Sequence, residues 1–165
     1  MERGSPFRFP VSDLLSDPGS RRRVSIDAPI DWPLELSVAG PAIHAEIVLQ
    51  EAAGGILVRA TASTTVHHTC HRCLTEWDET MAVSIDEPMG VGDDEDEYPI
   101  LGEVVDLEPP LRDAVLLEIT PVPTCRPECL GLCAVCGADL NTGPCPGHDE
   151  EPDSPFASLR GLLET

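Results

Sequence analysis

From residue 43 the chain alternates apolar and polar positions through two long runs, "IHAEIVLQEA" and "ILVRATASTTV", broken at Gly54 and Gly55. Period-two alternation puts successive side chains on opposite faces of a strand. Ile43, Ala45, Ile47 and Leu49 then share one face of the first arm, and Val58, Ala60, Ala62, Thr64 and Val66 one face of the second. The glycine pair between them predicts an antiparallel hairpin. "VSIDAPI" at 24–30 is short and rich in β-branched residues, and "WDETMAVSIDEP" at 77–88 alternates again, so both are expected as strands.

The period changes at "DLEPPLRDAVLLEI", residues 106–119. Leu111, Val115 and Ile119 recur at helical spacing, the prolines suit a first turn, Asp106 can cap, and Pro121 and Pro123 stop the element. A helix near 107–119 is therefore predicted within a β-rich domain over 1–124. From Cys125 to about residue 150 glycines and prolines come at short intervals with too few apolar residues to bury a core, so something else must order this segment. The tail, 151–165, could form a short docking helix through Phe156, Leu159, Leu162 and Leu163. The expected class is α+β: mainly antiparallel sheet, one or two helices, and a cysteine-rich, zinc-binding C-terminal appendage folded back on the sheet.

Charge narrows the function classes. The formal net charge is −20, and all ten basic residues are arginines. That balance opposes broad contact with phosphates, since proteins that grip nucleic acid present a basic face. The one basic cluster, Arg21 to Arg23, is expected in a solvated loop, as is the acidic run from Asp93 to Glu97. No stretch is apolar enough for a signal peptide or a membrane span, so a cytoplasmic protein without a membrane partner is expected.

In a reducing compartment, paired cysteines read as metal ligands or redox centres. Seven cysteines occur, and together with His148 they form four local pairs. These are Cys70 and Cys73 in "CHRC", Cys125 and Cys129 in "CRPEC", Cys133 and Cys136 in "CAVC", and Cys145 and His148 in "CPGH". Short spacing lets a tight turn present two ligands at tetrahedral angles, and eight ligands are what two closed zinc sites require. Gly137 after "CAVC" permits the positive φ of such a turn. The simplest partition groups Cys133, Cys136, Cys145 and His148, leaving Cys70 and Cys73 to meet Cys125 and Cys129. A ribbon with "CHRC" facing "CAVC" is the alternative, and spacing does not choose between them. His67, His68 and His71 flank the first pair as further candidates, with hydrogen-bonded roles expected. Thiol redox catalysis is the chemical competitor, but a redox CxxC usually opens a helix after a strand, a context absent here. Nothing resembles a zinc-hydrolase motif, a phosphate loop or a nucleophile elbow, so no enzyme activity and no small-molecule substrate are expected.

"CHRCL" after a hairpin, then "DLEPPLRDAVLLEITPVPTC", then "CRPECLGLCAVCGADLN" resembles the YceD family, the large ribosomal RNA subunit accumulation proteins of bacteria and plastids. The family's first motif falls on Cys70 and Cys73 and its C-terminal cysteines on Cys125, Cys129, Cys133, Cys136 and Cys145. Relatives often carry CxC after the "LN" element where this chain has "CPGH". The resemblance implies a non-enzymatic role in large-subunit rRNA accumulation and large-subunit assembly, through a large-subunit ribosomal protein or precursor rRNA. The alternatives are a zinc-ribbon regulator of the transcription machinery and a CxxC thiol oxidoreductase.

Overall fold

A computed structural model describes residues 5–90 and 98–147. The acidic run 93–97, the tail 151–165 and His148 lie outside them. In chain order the elements are β1 (Arg8–Pro10), α1 (Ser12–Leu15), β2 (Arg21–Pro29), β3 (Trp32–Leu34), β4 (Ser37–Ala52), β5 (Gly55–Thr69), β6 (Glu76–Gly90), β7 (Tyr98–Pro99), β8 (Val104–Asp106) and α2 (Glu108–Glu118). The main sheet has the order β2-β4-β5-β6-β7, with β3 also paired to β4, while β1 and β8 form a separate antiparallel pair. All pairings in the main sheet are antiparallel except the short parallel contact of β7 with β6. The fold is α+β, as the two periodicities require.

The β4–β5 hairpin is its spine. Ala52 pairs with Gly55, so the turn residues are Ala53 and Gly54, with φ of 53° and 85°. Two successive positive φ values match the right-handed twist of the flanking strands. Gly55 lies one position inside the strand, where a Cβ would sit 2.5 Å from the carbonyl oxygen of Met89 on β6. The faces follow the alternation: Ile43, Ala45, Ile47 and Leu49 on β4 and Val58, Ala60, Ala62, Thr64 and Val66 on β5 are all buried. Against them pack Val83 and Ile85 of β6, the β1–β8 pair through Val105, and α2 through Leu111 and Val115.

Two expectations need correction or refinement. Arg21 to Arg23 are not in a loop; β2 begins at Arg21 and pairs Arg21 with Gln50, Arg22 with Leu49 and Arg23 with Val48. The cause is the length of β4, whose ladder continues past the apolar segment. Arg22 turns inward to the carbonyl of Pro10 and the carboxylate of Asp13 at 3.3 Å, whereas Arg21 and Arg23 are exposed. Asp106 sits one residue before the α2 N-cap, Leu107, yet its carboxylate still accepts a hydrogen bond from the Glu108 N–H at 3.2 Å.

Packing of α2 sets the direction in which the chain leaves toward Cys125. Leu111 is fully buried and Leu117 is 86% exposed. Leu111→Ala is therefore expected to cost about 2–5 kcal/mol in chemical denaturation, and Leu117→Ala at most about 0.5 kcal/mol. Equal costs would show that another face of α2 meets the sheet.

Candidate metal centre

The hairpin ends where the first centre begins. Thr69 closes β5, and the next residues, Cys70 to Thr75, turn back into β6. The Cys70 N–H donates to the Thr75 carbonyl and the Leu74 N–H to the Cys70 carbonyl, both at 2.9 Å. The same pair of bonds recurs at "CAVCGA": Cys133 N–H to Ala138 carbonyl at 2.8 Å and Gly137 N–H to Cys133 carbonyl at 2.9 Å. The two CxxC pairs are thus the same knuckle built twice. In each, the residue after the second cysteine has positive φ, 59° for Leu74 and 71° for Gly137. Glycine adopts this conformation freely, whereas leucine is strained in it.

Four thiols meet at the first knuckle. Cys70, Cys73, Cys125 and Cys129 have all their sulfur atoms within 4.8 Å of one another. The Cys70–Cys129 separation is 3.9 Å and the Cys73–Cys125 separation 3.6 Å. A disulfide needs about 2.05 Å. Four thiolates around one ion at a bond length near 2.3 Å stand about 3.8 Å apart along each tetrahedral edge. The cluster therefore fits a four-coordinate metal ion, with Cys70 and Cys129 buried. Cys133, Cys136 and Cys145 form a second group, with Cys145 3.6 Å from each of the other two. It too could hold a metal ion, and Cys136 is exposed. The structure brings together the local partition, not "CHRC" facing "CAVC"; His148, the remaining candidate of the second group, lies outside the described residues.

The family model described as large ribosomal RNA subunit accumulation protein YceD matches residues 58–163. The chain belongs to the YceD family. A Mycobacterium tuberculosis protein of uncharacterised function is 31% identical over 96% of this chain and 82% of its own length. A Mycobacterium leprae counterpart is 30% identical over 96% of this chain and 78% of its own length. An Arabidopsis thaliana chloroplastic protein, large ribosomal RNA subunit accumulation protein YCED homolog 1, is 36% identical over 44% of this chain and 22% of its own length. No solved structure matches the chain.

The supporting shell of this YceD centre shows why the thiols converge. Arg72, inside the first CxxC, donates its guanidinium Nη1 to the Cys129 carbonyl at 3.0 Å and its N–H to the Cys70 sulfur at 3.4 Å. Its carbonyl accepts from the Leu132 N–H at 3.0 Å. Gly131, with φ of 77°, passes so close that a Cβ would be 3.0 Å from the same carbonyl. Asn141, from the "LN" element, accepts from the Leu130 N–H at 2.9 Å and donates to the Cys129 sulfur at 3.7 Å. Sequence reasoning singled out none of Arg72, Thr75 or Asn141; Arg72 and Asn141 carried a signal in their places within the "CHRC" and "LN" motifs, and Thr75 carried none.

The flanking histidines hold structure here. His71 ties the knuckle to the incoming chain, its N–H and ring Nδ1 both 3.0 Å from the Pro123 carbonyl. His67 meets Asp78 at 2.9 Å, and His68 is buried, stacked on Trp77 and 2.8 Å from the Ser37 hydroxyl.

The thiols do not ionise alike. Burial opposes ionisation of Cys70, but the N–H groups of Cys125, Cys73 and Arg72 with the Cys73 thiol outweigh it and bring its pKa to about 6. The Thr75 hydroxyl, then its N–H, lowers Cys73. Burial, then the neighbouring thiols of Cys73, Cys129 and Cys70, push Cys125 up to about 12. Four thiolates at this spacing repel one another, and a bound cation removes that penalty by holding all four deprotonated.

Burial also orders the two groups in lability. Stripping by a chromogenic chelator is expected in two phases, Cys136→Ser abolishing the fast one and Cys129→Ser the slow one. Asn141→Ala should accelerate the slow phase by roughly tenfold or more, because outer-shell partners tune metal affinity on that scale. One phase, or an unchanged slow phase in Asn141→Ala, would contradict this assignment.

Proposed function

We propose that the chain is a non-enzymatic factor that supports large-subunit rRNA accumulation and assembly of the large ribosomal subunit in the cytoplasm, with zinc as a structural ion in its cysteine groups. Membership of the YceD family is the observation that carries the reading. The four-thiol donor set of the first group favours zinc, and four protein ligands would leave no position for a substrate or a reactive water. That favours a structural ion over a catalytic one. A thiol oxidoreductase usually places its CxxC at a helix N-terminus, whereas Cys70 and Cys73 lie in the turn between β5 and β6.

Charge favours a basic large-subunit ribosomal protein as the direct partner over rRNA. With a net charge of −20 and Arg22 already engaged by Asp13, few arginines are left for phosphates.

Depletion is expected to lower mature large-subunit rRNA relative to small-subunit rRNA, measured on total RNA. Wild-type protein should restore the ratio and a Cys70→Ser, Cys73→Ser double variant should not. An unchanged ratio on depletion would defeat the assembly reading. Tight binding of the isolated protein to rRNA would overturn the protein-mediated route.

A further inference from the structure

The two edges of the main sheet carry opposite charge. β2, at one edge, presents Arg21 and Arg23. At the other, β6 pairs with β5 from Glu76 to Met89, while β7 covers its far side only at Met89 and Gly90. Among the described residues no backbone hydrogen bond reaches Glu76 to Pro88 from that side. Such an edge is a row of unpaired N–H and C=O groups that an extended chain can complete as one more strand.

Side chains decide which chain. β6 carries Glu76, Asp78 and Glu79 near one end and Asp86 and Glu87 near the other, with no basic residue; from β5, His67 meets Asp78 at 2.9 Å and Arg59 meets Asp86 at 3.0 Å, so the carboxylates still outnumber the cations beside them. Between them Thr80 to Ile85 is uncharged and spans about 20 Å at the rise of a strand. Glu79 and Glu87 fall in the inward register that Val83 and Ile85 share, and inward charge on an edge strand discourages unwanted pairing. A second copy of a chain with net charge −20 would be repelled, and so would the phosphates of RNA. A cationic strand would not.

We infer that the free edge of β6 docks an extended basic segment of a partner protein by strand addition. The segment's uncharged centre pairs along Thr80 to Ile85, and its cationic ends meet the two groups of carboxylates. The inference rests on the protein-mediated reading above and names the surface that reading needs. Arg21 and Arg23 make the opposite edge a poor alternative for the same segment.

The test titrates the metal-loaded full chain with a synthetic peptide whose Lys and Arg triplets flank six Thr and Val residues. A second peptide is N-methylated at every central residue, which keeps its charge and removes its strand-pairing donors. Affinity is read by fluorescence anisotropy and contact by amide hydrogen exchange. The unmodified peptide is expected to bind roughly tenfold or more tightly than the methylated one, because several backbone hydrogen bonds are at stake. Protection should appear within residues 78–88. Equal binding by the two peptides, no binding at low salt, or protection on β2 or the cysteine module would overturn the proposal, as would protection of β6 by a single-stranded RNA. The rRNA ratio on depletion is a separate readout: it can fail while the edge binds peptide, and it can hold while the edge does not.

Discussion

Four sulfur atoms from positions 52 and 59 residues apart converge within 4.8 Å, and the path of the chain after Pro123 goes with that convergence. The segment from Cys125 onward has little apolar material of its own. Leu130 and Val135 are exposed and Leu132 and Leu140 half-buried, while Cys129 is among its few buried side chains. A structural metal site contributes folding free energy directly, on the order of 10–16 kcal/mol for zinc in small peptides near neutral pH. That exceeds what burial of so few side chains could supply, so a metal ion held by these thiols would be enough to order the module. The thiol energetics agree: burial and neighbouring thiols hold the Cys125 proton while amide groups draw the proton off Cys70, an imbalance that a cation removes.

The sheet and helix matter to this centre as its scaffold. β5 carries the first knuckle at its end, rigid because β4 and β6 flank the strand along almost its whole length. Helix α2, anchored by Leu111 and Val115, brings the chain to Pro123, where the His71 ring and N–H capture the Pro123 carbonyl two residues before Cys125. Arg72 then reaches across to the Cys129 carbonyl and Leu132 N–H. Each ligand pair is local, but the distance between the pairs is fixed by the core, which makes the sheet a precondition for the site.

Much of this was legible in the chain because it is periodic or paired. The alternation from Ile43 to Leu49 and Val58 to Val66 named the buried face, since a long hairpin with one dry side leaves no freedom of register. The spacing of the CxxC pairs named candidate ligands but did not choose their grouping, which depends on the three-dimensional path from Thr69 and from Ile119. Leu74 in a left-handed conformation was illegible, because the hydrogen bonds that close the knuckle override the preference that would have called for glycine. Arg21 to Arg23 were misplaced for a related reason: strand pairing with β4 overrode the polar appearance of the segment. Asn141 and Thr75 act through hydrogen bonds to sulfur or to a knuckle amide, and such contacts leave no periodic trace.

An acidic chain and two cysteine groups that could each hold a metal ion are the features on which the proposed role rests. The claim beneath that picture is that metal, not the apolar core, orders the region after Pro123. Hydrogen exchange on the full chain, before and after quantified metal removal under reducing conditions, measures this directly. The account predicts that protection is lost at Cys70 to Thr75 and across Cys125 to Asn141 while the central residues of β4 and β5 keep theirs. Unchanged protection of Cys125 to Asn141 in demonstrably metal-free protein would contradict it.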